Sequence, residues 1–129
     1  MIEINALASS SAGNCYRVTD GKTPLLIEAG IPFREIQRAL NYTVTDLAGA
    51  LISHEHGDHS KAAADLMKAG VDIYASRGTI DALGLSGHRF RAVLPRLQFN
   101  IYSWTILPFE VEHDAAEPLG FLLANKSGD

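Results

Sequence analysis

Three of the chain's five histidines fall within six positions, at His54, His56 and His59, in the stretch LISHEHGDHS (residues 51–60). Asp58 stands beside the last of them. Neutral imidazole and carboxylate are the ligands of zinc, manganese and iron, and the absence of any cysteine near them argues against a structural zinc site. His54 and His56, two apart in extended chain, project to the same side. Gly57 permits a tight reversal, after which Asp58 and His59 face a second point a few ångströms away. Such an arrangement suits two metals roughly 3.5–4 Å apart, as in binuclear hydrolases. Glu55 points the other way and is not counted as a ligand.

A tetrahedral catalytic zinc takes about three protein groups plus a water, so the cluster needs help from elsewhere. His113 in FEVEHDAAEPLGF is the next candidate ligand, at the end of an apolar strand. Its neighbours Glu112 and Asp114 could support it from behind. His88 has no comparable setting and is left out.

The elements that must hold these residues are legible in outline. IEINALA alternates apolar and small or polar residues, CYRVT resumes after the turn residues SSSAGN, and DGK leads into TPLLIEAG. These predict an antiparallel meander of three strands. Pro32 opens a helix whose Phe33, Ile36 and Leu40 share one face. Residues 49–52 form a buried strand, and Ser60 is expected to cap the helix KAAADLMKA, which Gly70 ends. VDIYA is a strand, Ser76 caps RGTIDAL, and RAVL, QFNIYSWTILPFEV and LGFLLA (residues 119–124) read as strands. Strands alternating with helices beside hairpins predict a layered α/β domain with a mixed sheet and flanking helices.

With 129 residues the chain is at most one domain, and 47% hydrophobic with 20% charged residues is an ordinary globular composition. Its apolar runs fall short of the roughly 20 residues of a membrane span, and its first residues lack a secretory pattern. A cytoplasmic protein with no membrane partner is the simplest expectation. Cys15 is the single cysteine, so no internal disulfide forms. A net charge of −4 does not advertise nucleic-acid binding, but HRFRAVLPR (residues 88–96) carries three arginines and no acid. The closing NKSGD (residues 125–129) is turn material with no returning strand, so residues 1–129 read as the N-terminal part of something longer. The open sheet edge could pair with a second copy.

The residues HEHGDH resemble the HxHxDH signature of the metallo-β-lactamase fold hydrolases. ASSSAGNCYRV is similar to the serine- and glycine-rich first loop of the YycJ-type branch. LLIEAG resembles the strand that ordinarily ends in aspartate, and EHDAAEPLGFLL the segment bearing the third histidine. The resemblance implies about half of an αββα sandwich. It assigns His54, His56 and His113 to a first metal, and Asp58 and His59 to part of a second. Asp58 would also orient or deprotonate the attacking water. Two zinc or manganese ions are expected in the complete protein, and one or none in this chain, because the family's bridging aspartate and last histidine find no match here; Asp129 is not promoted to that role. Glu28 stands where the family has aspartate. The YycJ-type branch implies hydrolysis of DNA, with Ser11, Asn14, Arg89 and Arg91, and beyond them Arg77 and Arg96, as contacts to phosphate. Thioester or lactone hydrolysis is the alternative, and a fragment that is catalytically incomplete is another.

Overall fold

The structure, a computed structural model, describes residues 1–125. The expected turn at 126–129, with Asp129, lies outside the described residues. The alternating N-terminal segments form the meander: β1 (Glu3–Ser10), β2 (Gly13–Thr19) and β3 (Pro24–Ile27) pair antiparallel in sequence order. Asp20 closes the β2–β3 turn, its Oδ1 accepting the N–H groups of Lys22 and Thr23 at 3.0 and 2.9 Å. Gly21 supplies the positive φ of 92° that this turn needs.

From β3 onward the sheet becomes parallel. β4 (Gly49–Leu51), β5 (Ile73–Ala75) and β6 (Phe90–Ala92) are each reached through a helical crossover, as parallel pairing requires. These crossovers contain α1 (Phe33–Ala39), then α2 (Gly57–Ser60) with α3 (Ala63–Lys68), then α4 (Arg77–Leu83). The six strands lie in sequence order, β1 to β6.

Alternate residues of β4 show why the central strands read as continuously apolar. Ala50 packs with Ile36, Leu66 and Ile80 of the helices, whereas Leu51 packs with Trp104 and Ile106 of a second sheet. That second sheet is antiparallel and consists of β7 (Phe99–Ile101), β8 (Trp104–Glu110) and β9 (Leu119–Asn125). The result is three layers, helices on sheet on sheet.

Two local expectations are corrected. Ser60 does not cap the following helix: α2 begins earlier, at Gly57, and the Ser60 hydroxyl donates back to the carbonyls of Glu55 and His56 at 2.7 and 3.0 Å. The run QFNIYSWTILPFEV is two strands, because the chain reverses at Tyr102, which adopts φ 51°, and Ser103. This reversal docks on the β2–β3 turn. The Ser103 hydroxyl donates to Asp20 Oδ2, and the buried Trp104 donates its Nε1–H to the Thr23 carbonyl at 2.9 Å. The caps at Ser76 and Gly70 hold as expected. Ser76 Oγ accepts the Thr79 N–H at 3.1 Å, and Gly70 takes φ 95° just past α3.

No helix among the described residues is long and apolar enough to cross a membrane.

Candidate metal centre

Glu28, His54 and Ser76 all follow the carboxyl ends of parallel strands, β3, β4 and β5 respectively. Loops at that edge of an α/β sheet are where side chains can converge above a rigid base. His54 is buried at 6% exposure, while His56, at the start of α2, and His113, past the end of β8, are exposed. The three imidazoles meet. Ring centroids lie 4.8 Å apart for His54 and His56, 4.3 Å for His54 and His113, and 5.2 Å for His56 and His113. One nitrogen from each lies within 4.8 Å of the others. Imidazoles sharing a zinc at about 2.0–2.1 Å must approach to such a separation.

A hydrogen-bond relay decides which nitrogens are free. The Ser53 hydroxyl donates to Glu28 Oε2 at 2.6 Å, so its oxygen is left to accept from His54 Nδ1 at 2.7 Å. Glu28 Oε2 also pairs with His59 Nδ1, and Glu28 Oε1 accepts the Ser53 N–H at 2.8 Å. Assigned from this network, both His54 and His59 carry their proton on Nδ1 and present a bare Nε2. The Nε2 of His54 is buried and has no hydrogen-bond partner among the described residues. A buried, unpartnered acceptor flanked by two more imidazoles fits a divalent cation. Burial, and after it the neighbouring imidazoles of His59, His113 and His56, push the His54 ring down to about 4, against an upward pull from Asp58. It is therefore neutral at pH 7, the form that ligates metal.

The second pair lies next to the first. His59 Nε2 is 3.4 Å from Asp58 Oδ2, and the His59 ring lies 4.1 Å from that of His54. Glu28, His54 and His59 also place one ligand atom each within 4.8 Å of one another, but the hydrogen bonds above already account for that proximity. Cys15 adds no ligand: burial, then the charge of Glu28, pushes its thiol up to about 12.

Close backbone packing holds the Asp58 loop. A Cβ on Gly30 would sit 1.8 Å from the Asp58 carbonyl oxygen, so only glycine fits. The Ala29 N–H donates to the His59 carbonyl at 2.8 Å, and the Gly30 N–H to the Asn14 carbonyl at 2.9 Å. Asn14 Nδ2 donates to the Asp58 and Ser10 carbonyls at 3.2 and 3.0 Å. The Asn14 side chain is thus engaged in shaping the loop, whereas the expected phosphate contact concerns backbone N–H groups of residues 9–14. Ser11 lies exposed in the adjoining β1–β2 turn.

Arg89 and Arg91 start from the other edge of the sheet. Arg89 and Arg91 both bind Asp72, at 3.1 and 2.8 Å, and Asp72 and Arg89 precede β5 and β6, at the opposite end of the parallel strands. Arg77 pairs with Asp81 at 3.4 Å and Arg96 with Glu110 at 3.1 Å. Each guanidinium has a carboxylate partner, and those of Arg77, Arg91 and Arg96 are largely exposed.

Residues 10–123 match the metallo-beta-lactamase superfamily. The chain belongs to that superfamily. Among curated relatives, it is 29% identical over 140 residues to the exodeoxyribonuclease YycJ of Bacillus anthracis, covering 98% of this chain and 51% of the relative. It is 33% identical over 125 residues to the exodeoxyribonuclease WalJ of Streptococcus pneumoniae, covering 87% of this chain and 46% of the relative. The chain thus spans about half the length of these superfamily members. A solved structure of similar fold is the metallo-beta-lactamase fold protein YhfI from Bacillus subtilis. It has a TM-score of 0.79 at 18% identity, over 98% of this chain and 60% of that one.

Sequence reasoning found the histidines of this superfamily member and singled out Glu28, but missed Ser53, whose hydroxyl links Glu28 to His54. A lone serine just before the motif carries no signal of that relay.

Proposed function

We propose that the whole protein is a metal-dependent phosphodiesterase that hydrolyses DNA. The buried, unpartnered Nε2 of His54, with His56 and His113 around it, carries the metal-dependent part of this reading. Likeness to the two exodeoxyribonucleases supports the choice of DNA.

His54, His56 and His113 would hold one zinc or manganese ion, and Asp58 and His59 would provide two of the groups for a second. Bound there, a divalent ion lowers the pKa of water toward neutrality and polarises the scissile phosphate. Asp58, partly exposed with its Oδ2 at 3.4 Å from His59 Nε2, would orient the attacking water and accept its proton. Glu28 and Ser53 keep the two Nε2 atoms turned inward. Arg89 and Arg91 would meet phosphates rather than perform chemistry, and to do so they would exchange their ion pairs with Asp72.

The test is metal-supported cleavage of single- and double-stranded DNA by the whole protein and by Asp58→Ala. The variant should lose at least about 100-fold in rate, as general-base removal commonly costs, and keep its fold. A metal-loaded wild type that leaves DNA uncut but hydrolyses a thioester or lactone would replace this reading.

A further inference from the structure

We propose that Glu55 is a positioning residue that ties the loop carrying His113 to the loop carrying His54 and His56. The inference rests on the metal centre proposed above and concerns how its third ligand is held. Glu55 lies between the two histidines of the motif, yet its carboxylate turns away from them. Its Oε2 accepts the N–H of Ala116 at 2.9 Å, three residues beyond His113.

Among the described residues, the other bonds from the 111–118 loop to the rest of the molecule lie at its far end, while the Val111 N–H closes the loop's base on the Pro118 carbonyl at 3.4 Å. The Leu119 N–H donates to the Ser53 carbonyl at 2.9 Å. Glu117 is held through its carboxylate by the Gly78 N–H at 2.8 Å, and through its carbonyl by the Ser76 hydroxyl at 2.7 Å. On the side of His113 the loop folds onto itself, the Ala115 N–H donating to the His113 carbonyl at 2.9 Å. The Glu55–Ala116 bond is therefore the attachment nearest to His113 that reaches the other two ligands. His113 itself is exposed, touching the rings of His54 and His56.

The carboxylate is an expensive way to make one hydrogen bond. Its Oε1 is buried with no hydrogen-bond partner among the described residues, and burying an unpaired polar oxygen is unfavourable. A side chain serving the fold alone would do better without it. Support of this kind behind metal ligands is commonly worth about 10- to 100-fold in metal affinity.

The test is zinc affinity, measured by competition with a chromophoric chelator, for wild type, Glu55→Gln, Glu55→Asp and Glu55→Ala, each also in a His113→Ala background. Glu55→Ala, and Glu55→Asp whose shorter side chain cannot reach Ala116, should weaken zinc binding by about 10- to 100-fold. Glu55→Gln keeps an acceptor oxygen and should stay within about threefold of wild type. In the His113→Ala background all three should have no further effect, because Glu55 acts through His113. Wild-type affinity in Glu55→Asp and Glu55→Ala, or the same loss with His113 absent, overturns the positioning role alone. A wild type that binds no zinc overturns the metal centre and this role together.

Discussion

Glu28 Oε2 accepts from the Ser53 hydroxyl and pairs with His59 Nδ1, so one carboxylate sets the tautomer of two imidazoles, His54 through Ser53 and His59 directly. Glu28 does this from a left-handed backbone conformation, φ 67°, that costs a non-glycine residue roughly 1–2 kcal/mol. Strain of this kind is kept where the side chain it aims is needed. Glu28→Ala should therefore weaken zinc binding by about 10- to 100-fold, read by chelator competition, and also cost stability, because the Ser53 N–H and the His59 ring lose a buried acceptor. Glu28→Gln should also bind more weakly, since its single carbonyl oxygen cannot replace both carboxylate oxygens.

Gly30→Ala should be more damaging than its size suggests. The added Cβ meets the Asp58 backbone, at 1.8 Å from its oxygen and 2.2 Å from its carbon, and neither is the end of a flexible side chain. Overpacking of a tight site costs typically about 1–3 kcal/mol. Urea unfolding should show a loss at or above the upper end of that range, together with weaker zinc binding as the Asp58–His59 loop is displaced.

Trp104→Phe separates a hydrogen bond from bulk. The ring would still fill most of the space between the sheets, but the Thr23 carbonyl would lose the Nε1–H donor it now has at 2.9 Å in a buried setting. The expected loss is about 1–3 kcal/mol. Trp104→Ala, which also empties the site, should cost about 3–5 kcal/mol. Denaturant midpoints at constant slope would measure both.

Asp20 gives the fold an acid-sensitive element. Partial burial raises its carboxyl, but hydrogen bonds from Ser103 and from the backbone of Thr23, Lys22 and Asp20 outweigh it and hold the group down to about 2, from 3.8. A depressed carboxylate contributes stability that is fully present above its unfolded value and is lost as pH falls through its folded value. The stability difference between wild type and Asp20→Asn should thus be constant above about pH 5 and shrink between about pH 4 and pH 2. Chemical unfolding across that range would show it.

What was legible in the sequence was what is local. HEHGDH announces its chemistry because residue type and spacing lie in one loop, and His113 followed from needing a third ligand at a strand end. The meander, the crossovers and the Ser76 cap each depend on patterns within a dozen residues. The turn at Tyr102–Ser103 stayed hidden because a tyrosine with positive φ carries no turn signal; its cause is Asp20 and Thr23, some eighty residues earlier. The pairing of Arg89 and Arg91 with Asp72 was not legible either, because the acid precedes a neighbouring strand and is distant in sequence. The bond from the Asn14 side chain to the Asp58 carbonyl stayed hidden for the same reason.

His54 and His56 hang from the six-stranded sheet, whereas His113 hangs from β8 of the three-stranded one. Any ion gripped by all three is then a rivet through two separately hydrogen-bonded slabs, and ligation and folding become one coupled equilibrium. Free zinc at a hundred times its dissociation constant would add about 2.7 kcal/mol to the unfolding free energy. Chelation should loosen the seam where Trp104 and Phe121 face Leu25 and Leu51 before it disturbs the helical side of the molecule.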